Sequence, residues 1–321
     1  MKVVYIGGRI PHKKSLYTSR NTLMLRYLPP WVNYVETFTL EDAKQQTIDA
    51  DVIFLENLRS TPFWEQLIFL NDSKAFICDS YCDVWRKPWW FQHIRTDVHI
   101  TLTKASTIHS FPETEHSRIY WAPFRTPLST YEMERDIDII VWGTWHHKAY
   151  PFRMYIQEQV MKWIPNVEVI IPNEIPKAGL SLYDIVLNGK TYKLGTVSPR
   201  GNYYGTYLYK LLSRCKIACT GPGLKKGSWI GTGKYFENAA CSTVTLSTIF
   251  DEATDLGFKH GKNIWFTTEA NFQTDLINLL EQPNLINELA INSRELMRTR
   301  HTPEIRADEL YTFLCEQTGK T

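Results

Sequence analysis

Short apolar runs of four to six residues recur along this chain, separated by helix-length stretches, and at residue 138 the series begins again. Runs of that length, apolar throughout rather than alternating, suit strands buried on both faces. Separation by helices makes them βαβ units of a parallel sheet. The first series predicts strands over 3–6, 51–56, 75–78, 98–103 and 118–121, with helices over 22–28 and 63–70. The second predicts strands over 138–142, 167–171, 216–219, 243–246 and 263–266. Its helices are expected over 155–163, 203–214, 235–241, 276–280, 286–300 and 303–316, the last opening on Pro303, which fits a first helical turn. The polar stretch 130–135 reads as a linker. The expected fold is therefore α/β, two doubly wound domains facing a cleft: an acceptor-side domain over 1–133, a ligand-binding domain over 134–302, and a closing helix over 303–321 that packs back on the first. Ligands of such sheets sit at the carboxyl ends of the strands.

A chain of 321 residues suits two domains, and 43% hydrophobic with 22% charged residues is ordinary for a folded protein. The net charge of +2 is lower than a DNA-coating protein would carry, so a basic surface must be local. Aromatics reach 13%, and flat rings stack on sugars and bases. Cys78, Cys82, Cys215 and Cys219 stand in two pairs four apart, a spacing open to a four-thiolate metal site. Both pairs lie in or beside strand-like runs, where free cysteine behaves as a small hydrophobe, so reduced thiols are the expectation. The amino terminus reads as a strand entering a glycine turn rather than a signal peptide. No apolar stretch approaches the roughly 18 residues of a membrane helix. The expected location is cytoplasmic.

The most informative stretch is 232–246, where a glycine loop containing Gly233 opens a helix that carries Lys234 and Glu237. A helix amino terminus with a cation beside it suits a diphosphate. A carboxylate nearby can accept hydrogen bonds from vicinal ribose hydroxyls. The plainer alternative is that Glu237 complements the helix dipole.

This stretch resembles the donor-site segment of GT-B glycosyltransferases, in particular the group 1 and spore-protein-like families, whose segment runs Arg-x-Phe-Glu, small residues, then an apolar strand. Here Lys234 replaces the arginine, keeping the charge and losing the bidentate fork. The resemblance extends in order through 138–153, with Tyr150-Pro151-Phe152-Arg153, through 205–219 and 251–266, and to His301, Thr302 and Arg306. It implies two Rossmann-like domains and a nucleotide-sugar donor, a UDP-sugar first. It makes no metal obligatory, a divalent ion being compatible but not required. It further implies that Gly143 and Thr144 meet the donor phosphates through backbone amides, and that Lys148 and Arg153 are candidate cations for them. Arg200, in a loop at 200–202, is a further donor-side candidate.

On the acceptor side, a carboxylate at a strand end could take the proton of the attacking hydroxyl. Asp79 and Asp83 are the candidates, Asp79 first, and such a base would imply inversion. Gly8 and Arg9, after the first strand, could line the cleft. The stretch 84–95, with Trp85, Arg86 and Lys87, mixes aromatic rings with cations and is the local candidate for a nucleic-acid or glycan contact. The order of these features is similar to that of the phage DNA glucosyltransferases. That likeness makes a hydroxymethylated base in double-stranded DNA the most specific acceptor, reached by base flipping. The rivals are a protein or glycan hydroxyl, a non-catalytic sugar-binding protein, and a nucleotide-sugar epimerase.

Overall fold

The structure is a computed structural model that describes residues 1–7, 24–37, 39–56, 65–81, 93–102, 118–122, 126–143, 148–164, 180–197, 206–225 and 227–320. The chain divides into two compact units, Met1–Arg125 with Thr302–Thr321, and Thr126–His301.

The first unit is built on six parallel strands: β1 (Lys2–Gly7), β2 (Asn33–Thr37), β3 (Val52–Glu56), β4 (Phe76–Tyr81), β5 (Val98–Thr101) and β6 (Arg118–Trp121). They lie in the order β2-β1-β3-β4-β5-β6. Alternate residues divide between two cores, as the pleat requires. Val3, Tyr5, Val52, Phe54, Cys78, Val98 and Ile100 face one side with Met24 and Leu25. Val4, Ile6, Ile53, Leu55 and Ile77 face the other, against Ala43 of helix α1 (Leu40–Gln46) and Leu67 and Leu70 of a 3-10 helix, Glu65–Asp72.

The second unit has a six-stranded sheet. Its strands are β7 (Ile137–Val141), β8 (Leu180–Leu187), β9 (Lys190–Val197), β10 (Cys215–Cys219), β13 (Val244–Ser247) and β14 (Trp265–Phe266), in the order β14-β13-β10-β7-β9-β8. Only β8 runs antiparallel to its neighbour. A small hairpin, β11 (Gly223–Lys225) with β12 (Ser228–Ile230), follows β10. The helices are α2 (Pro151–Trp163), α3 (Thr206–Ser213), α4 (Gly233–Ala240), α5 (Phe272–Leu280) and α6 (Pro283–Arg300). Helices α2, α5 and α6 cover the face carrying Ile139, Val141, Ile217 and Leu246. Helix α3 covers Ile137, Ile140 and Ala218 on the other. The terminal helix α7 (Pro303–Thr318) belongs to the first unit, where Ala307, Leu310 and Leu314 enter the core beside Val3 and Phe54.

Several elements depart from expectation. The units part at residue 126, ahead of the polar stretch 130–135, which runs within the second unit. The expected helix over 63–70 is a 3-10 helix starting at Glu65. Strand β2, helix α1 and both hairpins were not expected. The expected strand over 167–171 lies outside the described residues.

Candidate functional site

In the second sheet, β7 and β10 are parallel neighbours, and the chain leaves them for opposite edges: β7 leads to β8 and β9, and β10 leads to β13. A sheet of this kind opens a ligand crevice at the carboxyl ends of such a strand pair. Trp142 and Gly143 follow β7 there, Thr220 and Gly221 follow β10, and α4 starts after the β11–β12 hairpin.

Arg153 fastens these loops together. It sits in the first turn of α2, buried, and its Nε donates to the Gly221 carbonyl at 2.7 Å. Its Nη2 donates to Thr232 Oγ1 at 3.0 Å, and its guanidinium lies 3.9 Å from the Tyr150 ring centroid. Burial lowers its pKa to about 10. Thr232 is the residue that caps α4, and its hydroxyl accepts from Arg153 rather than from an amide of the helix, so α4 has no side-chain cap. The first amides of a helix left in that state are a natural seat for an anion.

Lys234 and Gly143 meet directly. Gly143 has φ +114°, a conformation that favours glycine, and a Cβ there would lie 2.0 Å from Lys234 Cε. The Lys234 ammonium lies 4.0 Å from the Trp142 ring centroid. The indole Nε1 of Trp142 donates to Asn238 Oδ1 at 3.1 Å, and Asn238 Nδ2 donates to Thr245 Oγ1 at 3.1 Å. Glu237 is the fifth residue of α4, a full turn in, and is only 8% exposed. Spacing of three residues from Lys234 would put Glu237 in the same first turn, and the helix start at Gly233 moves it beyond that turn. A helix-dipole role for Glu237 weakens accordingly, because that effect falls off within the first turn.

In the first unit, Asp79 is the fourth residue of the six-residue strand β4, not its last, because pairing with β5 carries the strand on to Tyr81. It is buried beside its register partner His99, whose Nδ1 lies 2.6 Å from Asp79 Oδ1. Its Oδ2 has no hydrogen-bond partner among the described residues. Burial raises the Asp79 pKa, and the bond to His99 partly opposes that. A carboxylate so placed holds a proton more readily than an exposed one.

The structure thus brings Gly143, Arg153, Gly233, Lys234 and Glu237 to one edge of the second unit, whereas Asp79 belongs to the first. Lys148 is exposed, two residues before Tyr150. Gly8, Arg9, Asp83, Trp85, Arg86, Lys87, Thr144 and Arg200 lie outside the described residues. Trp142 and Asn238 were not singled out from the sequence. Their signals were a tryptophan preceding the glycine turn, and an asparagine inside a helix where a neighbour must satisfy it. Cys78, Cys215, Cys219 and Cys241 are buried and free. Burial pushes the first three thiols well up and that of Cys241 up to about 12. Cys82 is outside the described residues. Among the described residues no three His, Cys, Asp or Glu group to hold a metal ion. No described helix is long and apolar enough to cross a membrane.

A family model described as glycosyl transferase-like matches residues 127–312. No curated protein matches the sequence. Among solved structures, Anabaena Alr3699/HepE in complex with UDP-glucose is similar over 98% of this chain and 100% of that one, with TM-score 0.62 and 11% identity. The DNA modifying enzyme β-glucosyltransferase, solved in the presence and absence of UDP-glucose, is similar over 98% and 100%, with TM-score 0.63 and 12% identity. The pneumococcal O-GlcNAc transferase GtfA in complex with UDP and GlcNAc is similar over 88% and 60%, with TM-score 0.51 and 9% identity. At these identities the likeness is one of fold, two parallel-sheet α/β units of the GT-B type.

Proposed function

Because the chain belongs to the glycosyl transferase-like family, we propose that it moves a sugar from a UDP-sugar, held by the second unit, to a hydroxyl acceptor. One observation carries this: a positive-φ glycine, a helix start without a side-chain cap, an ammonium and a buried carboxylate converge at the carboxyl edges of β7 and β10. The Gly143 turn and the first amides of α4 would take the diphosphate, with Lys234 meeting its charge. Glu237 would accept from the ribose hydroxyls. Arg153 would hold Gly221 and Thr232 in place around them, and exposed Lys148 would be a further cation for the phosphates. The diphosphate's charge is then met by the protein, and a divalent ion is an addition rather than a requirement. Turnover that survives chelation would agree with this.

In the transfer step the acceptor oxygen bonds to the anomeric carbon while the bond from that carbon to the diphosphate breaks, and UDP departs with the electron pair. The acceptor proton passes to Asp79. Its Oδ2, without a hydrogen-bond partner among the described residues, and its raised pKa suit a general base, and direct displacement inverts the anomeric centre. For the acceptor we favour a hydroxymethylated base in double-stranded DNA, with a local basic, aromatic stretch over 84–95 to hold it. Whole-length likeness to a DNA-modifying glucosyltransferase supports this reading. A protein or glycan hydroxyl is the second reading, supported by likeness to an O-GlcNAc transferase.

The test is a donor screen by mass spectrometry, with UDP-, GDP-, dTDP- and CMP-sugars and with or without hydroxymethylated DNA. Addition of one sugar mass to the DNA, from a UDP donor, is the expected result. Donor hydrolysis with untouched DNA would move the acceptor to proteins or glycans. Failure to bind or turn over any donor would overturn the enzymatic reading.

A further inference from the structure

The families this chain resembles place an arginine where it has Lys234. An arginine carries a planar fork that fixes its own approach to a phosphate, whereas a lysine is a point charge on a flexible stem. We propose that Trp142 is a positioning residue that restores this direction: its indole face holds the Lys234 ammonium against the Gly143 turn, ready for a diphosphate. The proposal rests on the donor-site reading above.

Three observations meet at this point. The ammonium stands 4.0 Å from the Trp142 ring centroid, close for a cation over an aromatic face. The stem reaches the ring by crossing Gly143, since a Cβ on that residue would lie 2.0 Å from Lys234 Cε and 2.8 Å from Nζ. The charge is thereby held beside the turn whose backbone would face the phosphates. The ring is itself fixed, being buried and donating through Nε1 to Asn238 Oδ1 at 3.1 Å, with Asn238 held by Thr245. Asn238 lies four residues after Lys234 on the same helix, one turn along the same face. Lysine, indole and amide thus form a closed circuit. The helix that carries the charge also anchors the ring beneath it, so the ammonium cannot drift from the glycine turn without leaving the ring face.

The experiment measures UDP affinity by calorimetry and donor KM and kcat for five proteins: wild type, Trp142→Phe, Trp142→Leu, Lys234→Ala, and Trp142→Leu with Lys234→Arg. A half-buried lysine over a buried ring predicts roughly a five- to thirtyfold weaker UDP complex for Trp142→Leu. The smaller ring of Trp142→Phe should lose about threefold, because phenylalanine is the weaker partner for a cation. Donor KM should rise while kcat changes little, and Lys234→Arg should restore most of the loss in Trp142→Leu. In the unliganded protein, the Lys234 side-chain protons should show an upfield ring-current shift by NMR, absent from Trp142→Leu. Should Trp142→Leu not fold, Trp142→Phe is compared with and without Lys234→Arg; the threefold loss should appear only without it. The proposal is overturned if Trp142→Leu binds UDP like wild type while Lys234→Ala does not, which leaves the donor site standing. It is also overturned if Lys234→Arg restores nothing, which would make Trp142 a packing residue. Wild type that binds no nucleotide would remove the donor-site reading and this proposal with it, whatever the ring-current shift.

Discussion

At Gly143 the backbone and a neighbouring side chain both require the absence of a Cβ. Gly143→Ala should cost about 1–3 kcal/mol in backbone strain and also push Lys234 off its ring, so both Tm and UDP affinity should fall. Glu237→Gln keeps the volume and removes the charge. If the carboxylate accepts from ribose, UDP affinity should drop at least tenfold with Tm nearly unchanged, and unaltered calorimetry would remove Glu237 from the site. Asp79 makes a statement about pH. Its carboxyl is raised by burial, so the folded protein holds that proton more tightly than the unfolded chain does. The stability it contributes is present below the ordinary carboxylate pKa and is lost as pH rises through the raised value. Urea unfolding followed from pH 4 upward should show this decline, and Asp79→Asn should flatten it while abolishing transfer and sparing UDP binding. Retained transfer would move the base elsewhere. At Lys234, Glu237 and Asp79 the sequence offers residue type and order, from which their roles are proposed. What depends on depth was hidden. The sequence could not tell that Glu237 is buried a turn into its helix, nor that Arg153 binds a carbonyl and a hydroxyl of its own domain.

Among the elements, the central strands were readable because both their faces are buried. Val3 to Ile6, Val52 to Leu55 and Ile139 to Val141 are apolar without interruption, and runs this short between turn signals suit strands buried on both faces. Strand β2 was missed because Asn33–Thr37 is an edge strand whose first residue is exposed and next three are only half-buried. The β8–β9 hairpin was missed although its signal was present. Asn188-Gly189 joins two alternating stretches, and both residues take positive φ, 49° and 73°, as a two-residue hairpin turn requires. The βαβ rhythm on either side masks the antiparallel pair in the sequence. This hairpin offers a control for Gly143. Nothing lies within 4 Å of a Cβ placed on Gly189, so Gly189→Ala carries strain without collision. It should cost roughly 1 kcal/mol and leave UDP affinity untouched. A loss of UDP affinity there would mean that strain anywhere in the unit, rather than displacement of Lys234, disturbs the site.

On the scale of the whole chain, each unit carries its own core, and the terminal helix joins the first through Ala307, Leu310 and Leu314. Two units, each with its own sheet and core residues, predict two unfolding transitions that can be moved separately. Leu310→Ala empties a fully buried position and should lower the first unit's stability by about 2–5 kcal/mol. UDP should act on the other transition. A ligand at a hundred times its Kd adds about 2.7 kcal/mol to the unit that binds it, which for a domain of this size is a rise of roughly 5–11 °C. Calorimetric scans of wild type and Leu310→Ala, each with and without UDP, therefore assign the donor site without any residue of the site being altered. The expected pattern is one transition lowered by the substitution and the other raised by the nucleotide. If UDP instead raised the transition that Leu310→Ala lowers, the nucleotide would belong to the first unit, and the assignments of Lys234, Glu237 and the Gly143 turn would fall together.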